Sequence, residues 1–126
     1  MPRFLSAHVV AAIHDDQIRL FGGSPGVRDW NLLASSVAQP AATFGGQFLY
    51  NNLYAMAAAL GHGLITAHPF LDGNKRAGGM AMLVFLAVNG WAVEIPEAAY
   101  YELVMAVATG NMPRDELAES LTRWAK

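Results

Sequence analysis

Residues 68–76, His-Pro-Phe-Leu-Asp-Gly-Asn-Lys-Arg, bring together side chains that can perform acid–base and phosphate chemistry. Across residues 30–93 the only Asp, Glu, Lys or Arg residues are Asp72, Lys75 and Arg76. Charged groups in an otherwise apolar region are costly unless they are paired or used. The distribution of charge therefore marks this stretch, here called the motif loop, as a candidate functional site.

The second half of the motif loop has the features of a phosphate-binding site. A helix that begins near Lys75 points its first backbone N–H groups out of its end, and these donors and the helix dipole favour an anion. Gly73 permits a positive φ and a close approach of backbone to ligand. Asn74 adds an amide donor, Lys75 a charge, and Arg76 a planar fork that grips phosphate oxygens. The Gly-x-x-x-x-Gly-Lys-Ser/Thr spacing of a Walker loop is absent.

The first half of the motif loop indicates what is done with the phosphate. A carboxylate beside bound phosphates is a usual ligand of Mg²⁺, so Asp72 is the predicted metal ligand. Histidine exchanges protons near neutral pH, so His68 is suited to take a proton from a hydroxyl. Phe70 is expected to be a core anchor that fixes the loop. Together these residues predict phosphoryl or nucleotidyl transfer, which needs mostly positioning and charge neutralisation.

Each of these residues also has a purely structural interpretation when it is taken alone. His68 can cap the helix before the loop, and Asp72 can cap the helix after it. Lys75 and Arg76 can form a solvated first turn. Their occurrence together, in a region otherwise without charge, favours the functional site.

The other histidines are not assigned to the site. His14 is expected to form a surface or partner-facing cluster with Asp15 and Asp16. His62 can approach the site, but a packed core residue is the favoured interpretation. The spacing of histidines and carboxylates does not match a zinc protease, so no zinc is predicted.

Composition restricts the classes of protein that the chain can belong to. Its 126 residues predict one domain over 1–126, and the formal net charge of −2 gives no case for direct binding of nucleic acid or a membrane surface. The N-terminus lacks the features of a signal peptide, and cysteine is absent, so a cytoplasmic location is expected. With 54 % hydrophobic and 14 % charged residues, the chain is either a small Ala-rich helical protein or has a surface that a partner covers.

Helical periodicity predicts an all-α chain with few or no strands. The predicted helices are 6–20, 27–40, 48–66, 75–89, 98–110 and 113–126, with a loop or flap at 41–47. Ser6 is expected to cap the first helix, with Val9, Ile13 and Leu20 on its apolar face.

The uncharged stretch 77–93 matches either a short membrane span or a helix that is buried on all sides. Its length, at the lower limit for crossing a bilayer, and its internal glycines favour the buried helix. The expected architecture is a compact bundle of about six helices around this central helix.

The motif loop resembles the signature loop of the Fic/Doc (Fido) family, whose pattern is His-x-Phe-x-Asp/Glu-Gly-Asn-Gly-Arg. The matching residues are His68, Phe70, Asp72, Gly73, Asn74 and Arg76. Lys75 replaces the usual glycine, which is a feature of the death-on-curing (Doc) toxin branch. Residues 14–40 and 106–124 also resemble that branch, so the resemblance covers nearly the whole chain and implies the Fido fold.

The resemblance implies a role for each matching position. His68 would act as the general base on a target hydroxyl, and Asp72 would hold Mg²⁺. The phosphates of ATP would be bound and activated by Gly73, Asn74, Lys75 and Arg76.

The reaction that the resemblance implies depends on the branch. Typical Fic enzymes transfer AMP to proteins, whereas the Doc branch is a protein kinase that moves the γ-phosphate of ATP to a threonine of elongation factor Tu and arrests translation. Lys75 would fill space in the nucleotide pocket, and Gly79 stands where AMP-transferring members commonly carry a second arginine. Both departures favour the kinase. AMP transfer, or an inactive member that serves as an interaction module, are the alternatives.

The sequence contains no match to the family's inhibitory Ser/Thr-x-x-x-Glu-Gly/Asn helix. The resemblance therefore implies a toxin that is restrained in trans by the disordered tail of a cognate antitoxin. The uncharged segment 30–71 is expected to supply an apolar groove for such a tail.

Overall fold

The structure, a computed structural model, describes residues 1–125. Six α-helices make up most of this part of the chain, and its strands form a single antiparallel hairpin. The helices are α1 (Ala7–Phe21), α2 (Trp30–Ala38), α3 (Leu53–Ala67), α4 (Asn74–Val88), α5 (Glu97–Ala108) and α6 (Arg114–Leu121). The strands are β1 (Thr43–Phe44) and β2 (Gln47–Phe48), and short 3₁₀ turns cover Gln39–Ala41 and Thr122–Trp124. The predicted all-α fold with few strands is confirmed.

Side-chain caps explain why two helices begin later than predicted. The second helix begins at Trp30 rather than residue 27, because the carboxylate of Asp29 accepts a first-turn backbone N–H at 3.1 Å. The third begins at Leu53 rather than residue 48, because the amide oxygen of Asn52 accepts one at 2.8 Å. A cap residue has extended backbone, so the helix cannot continue towards the N-terminus through it.

The C-terminal part of the chain pairs with an extended segment rather than continuing as a helix. The backbone N–H of Glu94 donates to the carbonyl of Trp124 at 3.1 Å. This pairing explains why α6 ends at Leu121, before the end of the predicted helix 113–126. The last residue of that prediction, Lys126, lies outside the described residues.

The face of α1 that enters the core differs from the predicted one. Ser6 caps the helix as expected, with its hydroxyl accepting the backbone N–H of Val9 at 3.1 Å. Val9 and Leu20 are exposed, however. The buried residues of α1, spaced by four, are Val10, His14 and Ile18. Of the three predicted residues, only Ile13 packs against the core, where it is partly buried.

The central position of α4 is confirmed. The helix matches the predicted range 75–89 to within one residue, and residues along most of its length are buried. Met82, Phe85 and Leu86 are each at most 1 % exposed. Within residues 1–125, the structure contains no helix long and apolar enough to cross a membrane.

Helices α3 and α4 cross at a pair of glycines. A Cβ atom at Gly78 would lie 2.7 Å from Cγ1 of Ile65 and 3.0 Å from the backbone oxygen of Gly61. A Cβ atom at Gly61 would lie 3.1 Å from Cβ of Met82. The two backbones are therefore in contact without intervening side chains, and this contact sets the separation of the helices that flank the motif loop.

The glycine crossing yields a stability prediction. We expect Gly78→Ala to lower the free energy of unfolding by about 1–3 kcal/mol, because overpacking outweighs the roughly 1 kcal/mol by which alanine favours a helix. Gly63→Ala is the matched control on α3: its nearest neighbour would be Cβ of Ser36 at 3.8 Å. We expect that variant to be as stable as the wild type or slightly more stable. Urea denaturation measures both, and equal stabilisation by the two substitutions would show that the crossing tolerates a methyl group.

Candidate active site

The motif loop joins α3 to α4 and lies against the α1–α2 loop, residues 22–29. Val27 and Phe70 form an isolated antiparallel bridge. The backbone N–H groups of Arg28 and Asp29 both donate to the carbonyl of Pro69, at 2.8 and 3.1 Å. The first half of the motif loop is thus fixed by backbone hydrogen bonds to a second loop.

His68 ends α3 in a left-handed conformation with φ 56° and ψ 57°. Among the described residues it is the only non-glycine residue with a positive φ. Such a conformation costs about 1–2 kcal/mol, and strain of this kind concentrates at functional sites. The Nε–H of Arg28 donates to the carbonyl of His68 at 2.8 Å, and its Nη2 donates to that of Ala67 at 3.2 Å. Arg28 therefore stabilises the turn and satisfies the last carbonyls of α3.

The imidazole of His68 has a defined orientation. Its Nδ1 lies 3.1 Å from the carbonyl of Thr66, and a carbonyl only accepts, so the hydrogen bond requires the proton on Nδ1. Nε2 then carries the lone pair, and the side chain is exposed. The arrangement leaves one nitrogen of His68 able to take a proton from a hydroxyl.

Asn74 closes the motif loop on itself. Its amide oxygen accepts the backbone N–H of Phe70 at 2.9 Å, and its amide nitrogen donates to the carbonyl of Phe70 at 3.1 Å. Both residues are buried. The sequence suggested this amide as a phosphate ligand; the amide also fixes the loop through both of its ends, and the backbone N–H of Asn74 is a further donor for an anion.

The carboxylate of Asp72 is held by two backbone donors. Oδ2 accepts the N–H of Ser24 at 3.0 Å, and Oδ1 accepts that of Gly73 at 2.8 Å. These two hydrogen bonds, in that order, lower the pKa of Asp72, helped by the charges of Arg76 and His14 and opposed by desolvation. The carboxylate is exposed and ionised at neutral pH, and each oxygen keeps a lone pair for a cation.

The first turn of α4 presents the cationic side chains and free backbone donors of the site. Gly73 precedes it with φ 74°, and a Cβ atom there would lie 3.0 Å from Cδ1 of Ile18. Arg76 donates from Nη1 to the carbonyl of Gln17 at 3.3 Å, which leaves its other donors available. Lys75 is exposed. The N–H groups of residues 74–76 have no acceptor within the helix.

His14 belongs to the site, and its assignment to a surface cluster with Asp15 and Asp16 is wrong. It is 3 % exposed, and its Nε2 lies 2.7 Å from the carbonyl of Asp72. Its ring stacks on Phe70 with centroids 3.8 Å apart and planes 3° from parallel. His14 therefore holds the motif loop from α1. The sequence signal that could have indicated the burial of His14 is its spacing of four residues from both Val10 and Ile18.

A second residue that sequence reasoning missed is Tyr100 on α5. A Cβ atom at Gly79 would overlap the Tyr100 hydroxyl and lie 2.9 Å from its Cζ. Burial raises the pKa of Tyr100, so the hydroxyl is protonated at neutral pH. Beside it, a cavity of about 140 Å³ is lined in part by Lys75 and Arg76. The space next to Gly79 is thus occupied by a tyrosine.

His62 lies away from the motif loop, on the face of α3 that is turned towards α2 and α6. It is partly rather than fully buried, so the expectation of a packed core histidine holds only in part. Burial and, to a smaller extent, the charge of Arg114 lower its pKa, while a hydrogen bond to the backbone of Met112 opposes them. His62 is therefore neutral at neutral pH.

The geometry brings a free imidazole nitrogen, an ionised carboxylate and a helix N-terminus with free backbone donors together on one short loop, an arrangement suited to the transfer of a phosphate group. The model of the Fic/DOC family matches residues 4–86, and the chain belongs to this family. It is 38 % identical over 107 residues to Toxin Doc of Mycolicibacterium smegmatis, covering 83 % of this chain and 82 % of that protein. It is 30 % identical over 122 residues to Protein kinase doc of Escherichia phage P1, covering 96 % and 94 %. These relatives place the chain with the Doc branch.

The contact between His14 and the motif loop can be tested by a substitution that keeps the ring. We expect His14→Phe to retain the stacking on Phe70 but to lower the free energy of unfolding by about 1–2 kcal/mol, because the Asp72 carbonyl loses its donor. His8→Phe, at an exposed position of the same helix, should change it by less than about 0.5 kcal/mol. Urea denaturation measures the difference. A His14→Phe variant as stable as the wild type would show that the hydrogen bond does not hold the loop.

The lowered pKa of Asp72 predicts a pH dependence of stability. A carboxyl whose pKa is lower in the folded than in the unfolded chain stabilises the fold above its ordinary pKa of 3.8, and this contribution is lost as the pH falls through the folded value. The wild type should therefore have a higher unfolding midpoint than Asp72→Asn, and the difference should be largest above about pH 5 and shrink towards pH 3. Asp15→Asn, which removes an exposed carboxylate of α1, controls for the change in net charge. A difference that stays constant from pH 7 to 3 would contradict the assignment.

Proposed function

We propose that this chain is a Doc-type toxin that transfers the γ-phosphate of ATP, with Mg²⁺, to a hydroxyl of a protein. The observation that carries the proposal is the orientation of His68, whose Nε2 makes no hydrogen bond within the described residues and which lies on the loop that leads into α4. The names of the two relatives, a Doc toxin and a Doc protein kinase, support it. The similarity to the second relative extends over almost the whole of both chains, so both halves of the site fall within it.

In the proposed reaction, the hydroxyl oxygen of the protein substrate attacks the γ-phosphorus of ATP. Its proton passes to Nε2 of His68, the new phosphorus–oxygen bond forms, and the bond between the γ-phosphorus and its bridging oxygen breaks. ADP leaves, and His68 returns its proton to solvent. The backbone N–H groups of residues 74–76 and the cations of Lys75 and Arg76 stabilise the negative charge on the phosphates.

Asp72 is the residue that would hold Mg²⁺. An ionised, exposed carboxylate whose backbone donors leave lone pairs on both oxygens suits a hard cation that takes its remaining ligands from phosphates and water. The ion would neutralise phosphate charge. Ser24 and Gly73 hold the carboxylate in one orientation.

Two features favour attack on the γ-phosphorus over AMP transfer. Lys75 stands where the family pattern has glycine, and it adds both bulk and a charge at the helix N-terminus. At Gly79 the tyrosine ring of Tyr100 occupies the space that a longer side chain would need. A second arginine from that position, as AMP-transferring members carry, does not fit.

The protein substrate and the restraining partner follow from the same resemblance. We take elongation factor Tu as the candidate substrate, with a threonine as acceptor, and arrest of translation in the cytoplasm as the consequence. The candidate inhibitor is a cognate antitoxin whose disordered tail binds the toxin. The second candidate functions are transfer of AMP and, without turnover, service as an interaction module.

Transfer of label separates these functions. We incubate the chain with Mg²⁺, elongation factor Tu and ATP labelled on either the α- or the γ-phosphate. Label transferred from the γ position alone is expected, and transfer from the α position alone would establish AMP transfer instead. Absence of both, together with no heat of nucleotide binding in calorimetry, would favour the interaction module.

The same assay tests the role of His68. We expect His68→Gln to reduce γ-phosphate transfer by about 10²–10⁴-fold, because it removes the proton acceptor. His8→Gln, which changes an exposed histidine of α1, is the matched control and should transfer at the wild-type rate. Transfer by His68→Gln at more than a tenth of the wild-type rate would remove His68 from the role of base.

A further inference from the structure

A polar groove lies between α2, α3 and α6 and extends to the C-terminal end of α3, next to His68 in the chain. It has a volume of about 310 Å³. Its lining includes the hydroxyl-bearing residues Ser35, Ser36 and Thr66, together with His62 and Arg114. The groove is therefore lined by hydrogen-bonding groups, with a single arginine among them.

The groove is continuous with the candidate active site along α3. Thr66 and Ala67 line it at the C-terminal end of the helix, and the carbonyl of Thr66 accepts from Nδ1 of His68. His62 lies six residues before His68, which corresponds to roughly 9 Å along a helix. An extended chain covers that length with about three residues. A polypeptide in the groove therefore reaches His68 within about three residues of His62, which lines the groove together with Arg114.

Arg114 is a cation without a carboxylate partner among residues 1–125, where Arg19 and Asp16 form the only ion pair. Its guanidinium lies 5.1 Å from the ring centroid of Tyr50, which orients it while leaving it exposed. Arg114 also lines a second cavity together with Tyr50 and Asp115, but it forms no ion pair with Asp115, and Asp115 does not line this groove. Arg114 is thus available to an incoming anionic group.

The charge of the groove comes from Arg114 alone. Burial keeps His62 neutral at neutral pH, and no carboxylate is among the residues that line the groove. The hydroxyls of Ser36 and Thr66 and the ring of His62 supply neutral hydrogen-bonding groups beside the guanidinium. Such a set suits the side-chain carboxylate of a peptide, which arginine binds through a charged fork.

We propose that this groove binds an extended segment of the protein substrate, and that Arg114 pairs with a Glu or Asp side chain about three residues from the hydroxyl that the segment presents to His68. The proposal rests on the proposed function, because it assigns the protein-substrate side of the same site. It makes Arg114 a specificity residue for acidic sequences. The phosphates of ATP belong to the first turn of α4 and not to this groove.

Steady-state kinetics with elongation factor Tu, the candidate substrate, test Arg114. Arg114→Gln should raise KM for the protein substrate about five- to tenfold, while kcat and KM for ATP stay within twofold of wild type. Arg114→Lys, which keeps the charge, should recover part of the loss. Arg123→Gln is the matched control, since Arg123 is exposed and lies outside the groove. An unchanged KM for the protein substrate in Arg114→Gln would overturn the proposal.

A structural role of Arg114, through its contact with Tyr50, is separated by two readouts. Raising the ionic strength should weaken substrate binding by the wild type and affect Arg114→Gln much less, because only the wild type has an ion pair to screen. The unfolding midpoints of the two proteins should agree. A lowered midpoint with equal salt dependence in both would assign Arg114 to stability and contradict the proposal.

A peptide series keeps the proposal testable whatever the protein substrate is. Each peptide of the series is a fluorescein-labelled nonapeptide with a central threonine and a single Glu, which is placed at each of the other positions in turn. The control peptide carries Gln in place of Glu. Fluorescence anisotropy should show preferred binding when Glu lies about three residues from the threonine, and Arg114→Gln should abolish the preference. Binding without any dependence on Glu would overturn the proposal. A positional preference without any transfer of label would instead overturn the proposed function and leave the groove assigned.

Discussion

The contact between α3 and α4 at Gly61 and Gly78 is the constraint on which the candidate active site depends. Because the two backbones touch there without side chains, the ends of the helices that flank the motif loop are held at one separation. The chain must then reverse between them within a few residues. It does so with two residues in the left-handed conformation, His68 directly after α3 at φ 56° and Gly73 directly before α4 at φ 74°. The position of His68, the proposed base, relative to the N-terminus of α4 is therefore a consequence of helix packing.

The α1–α2 loop and α1 supply the other half of the scaffold, and they act mainly on the backbone of the motif loop. Arg28 binds the carbonyl of His68 and His14 binds that of Asp72. Ser24 and Gln17 instead bind side chains, the Asp72 carboxylate and the Arg76 guanidinium. These contacts satisfy carbonyl groups that a tight connection would otherwise leave unpaired. The chemistry-bearing nitrogen of His68 takes no part in them. Rigidity is thus supplied largely through the backbone, and the contacts to the side chains of Asp72 and Arg76 leave further lone pairs and donors available.

The sequence predicted the helices and the motif loop well because both signals are local. Periodicity identifies a helix from neighbouring residues, and the loop is one continuous run. Prediction from the sequence failed where a residue's role depends on a contact with a residue far away in the chain. His14 meets a carbonyl 58 residues further along the chain, so the charged neighbours Asp15 and Asp16 suggested a surface cluster instead. Likewise Tyr100 beside Gly79 could not be inferred, because no spacing within α4 indicates which residue of α5 fills that space.

A residue of the motif can fix the conformation of the loop, take part in its chemistry, or do both, and the contacts in the structure show which residues fix the conformation. The amide of Asn74 binds the backbone of Phe70 through both its oxygen and its nitrogen, so a match to the family pattern there predicts loop geometry as well as phosphate binding. Lys75 is the opposite case. It is exposed and makes no hydrogen bond or ion pair with another residue of the described chain. At position 75 the chain has lysine where the family pattern has glycine, and no contact of the fold depends on that side chain. The residue at this position can therefore differ between members that catalyse different reactions without destabilising the loop. Under the proposed function, this is the physical reason to expect that Lys75, together with the filled space at Gly79, bears on the choice between the γ- and α-phosphorus.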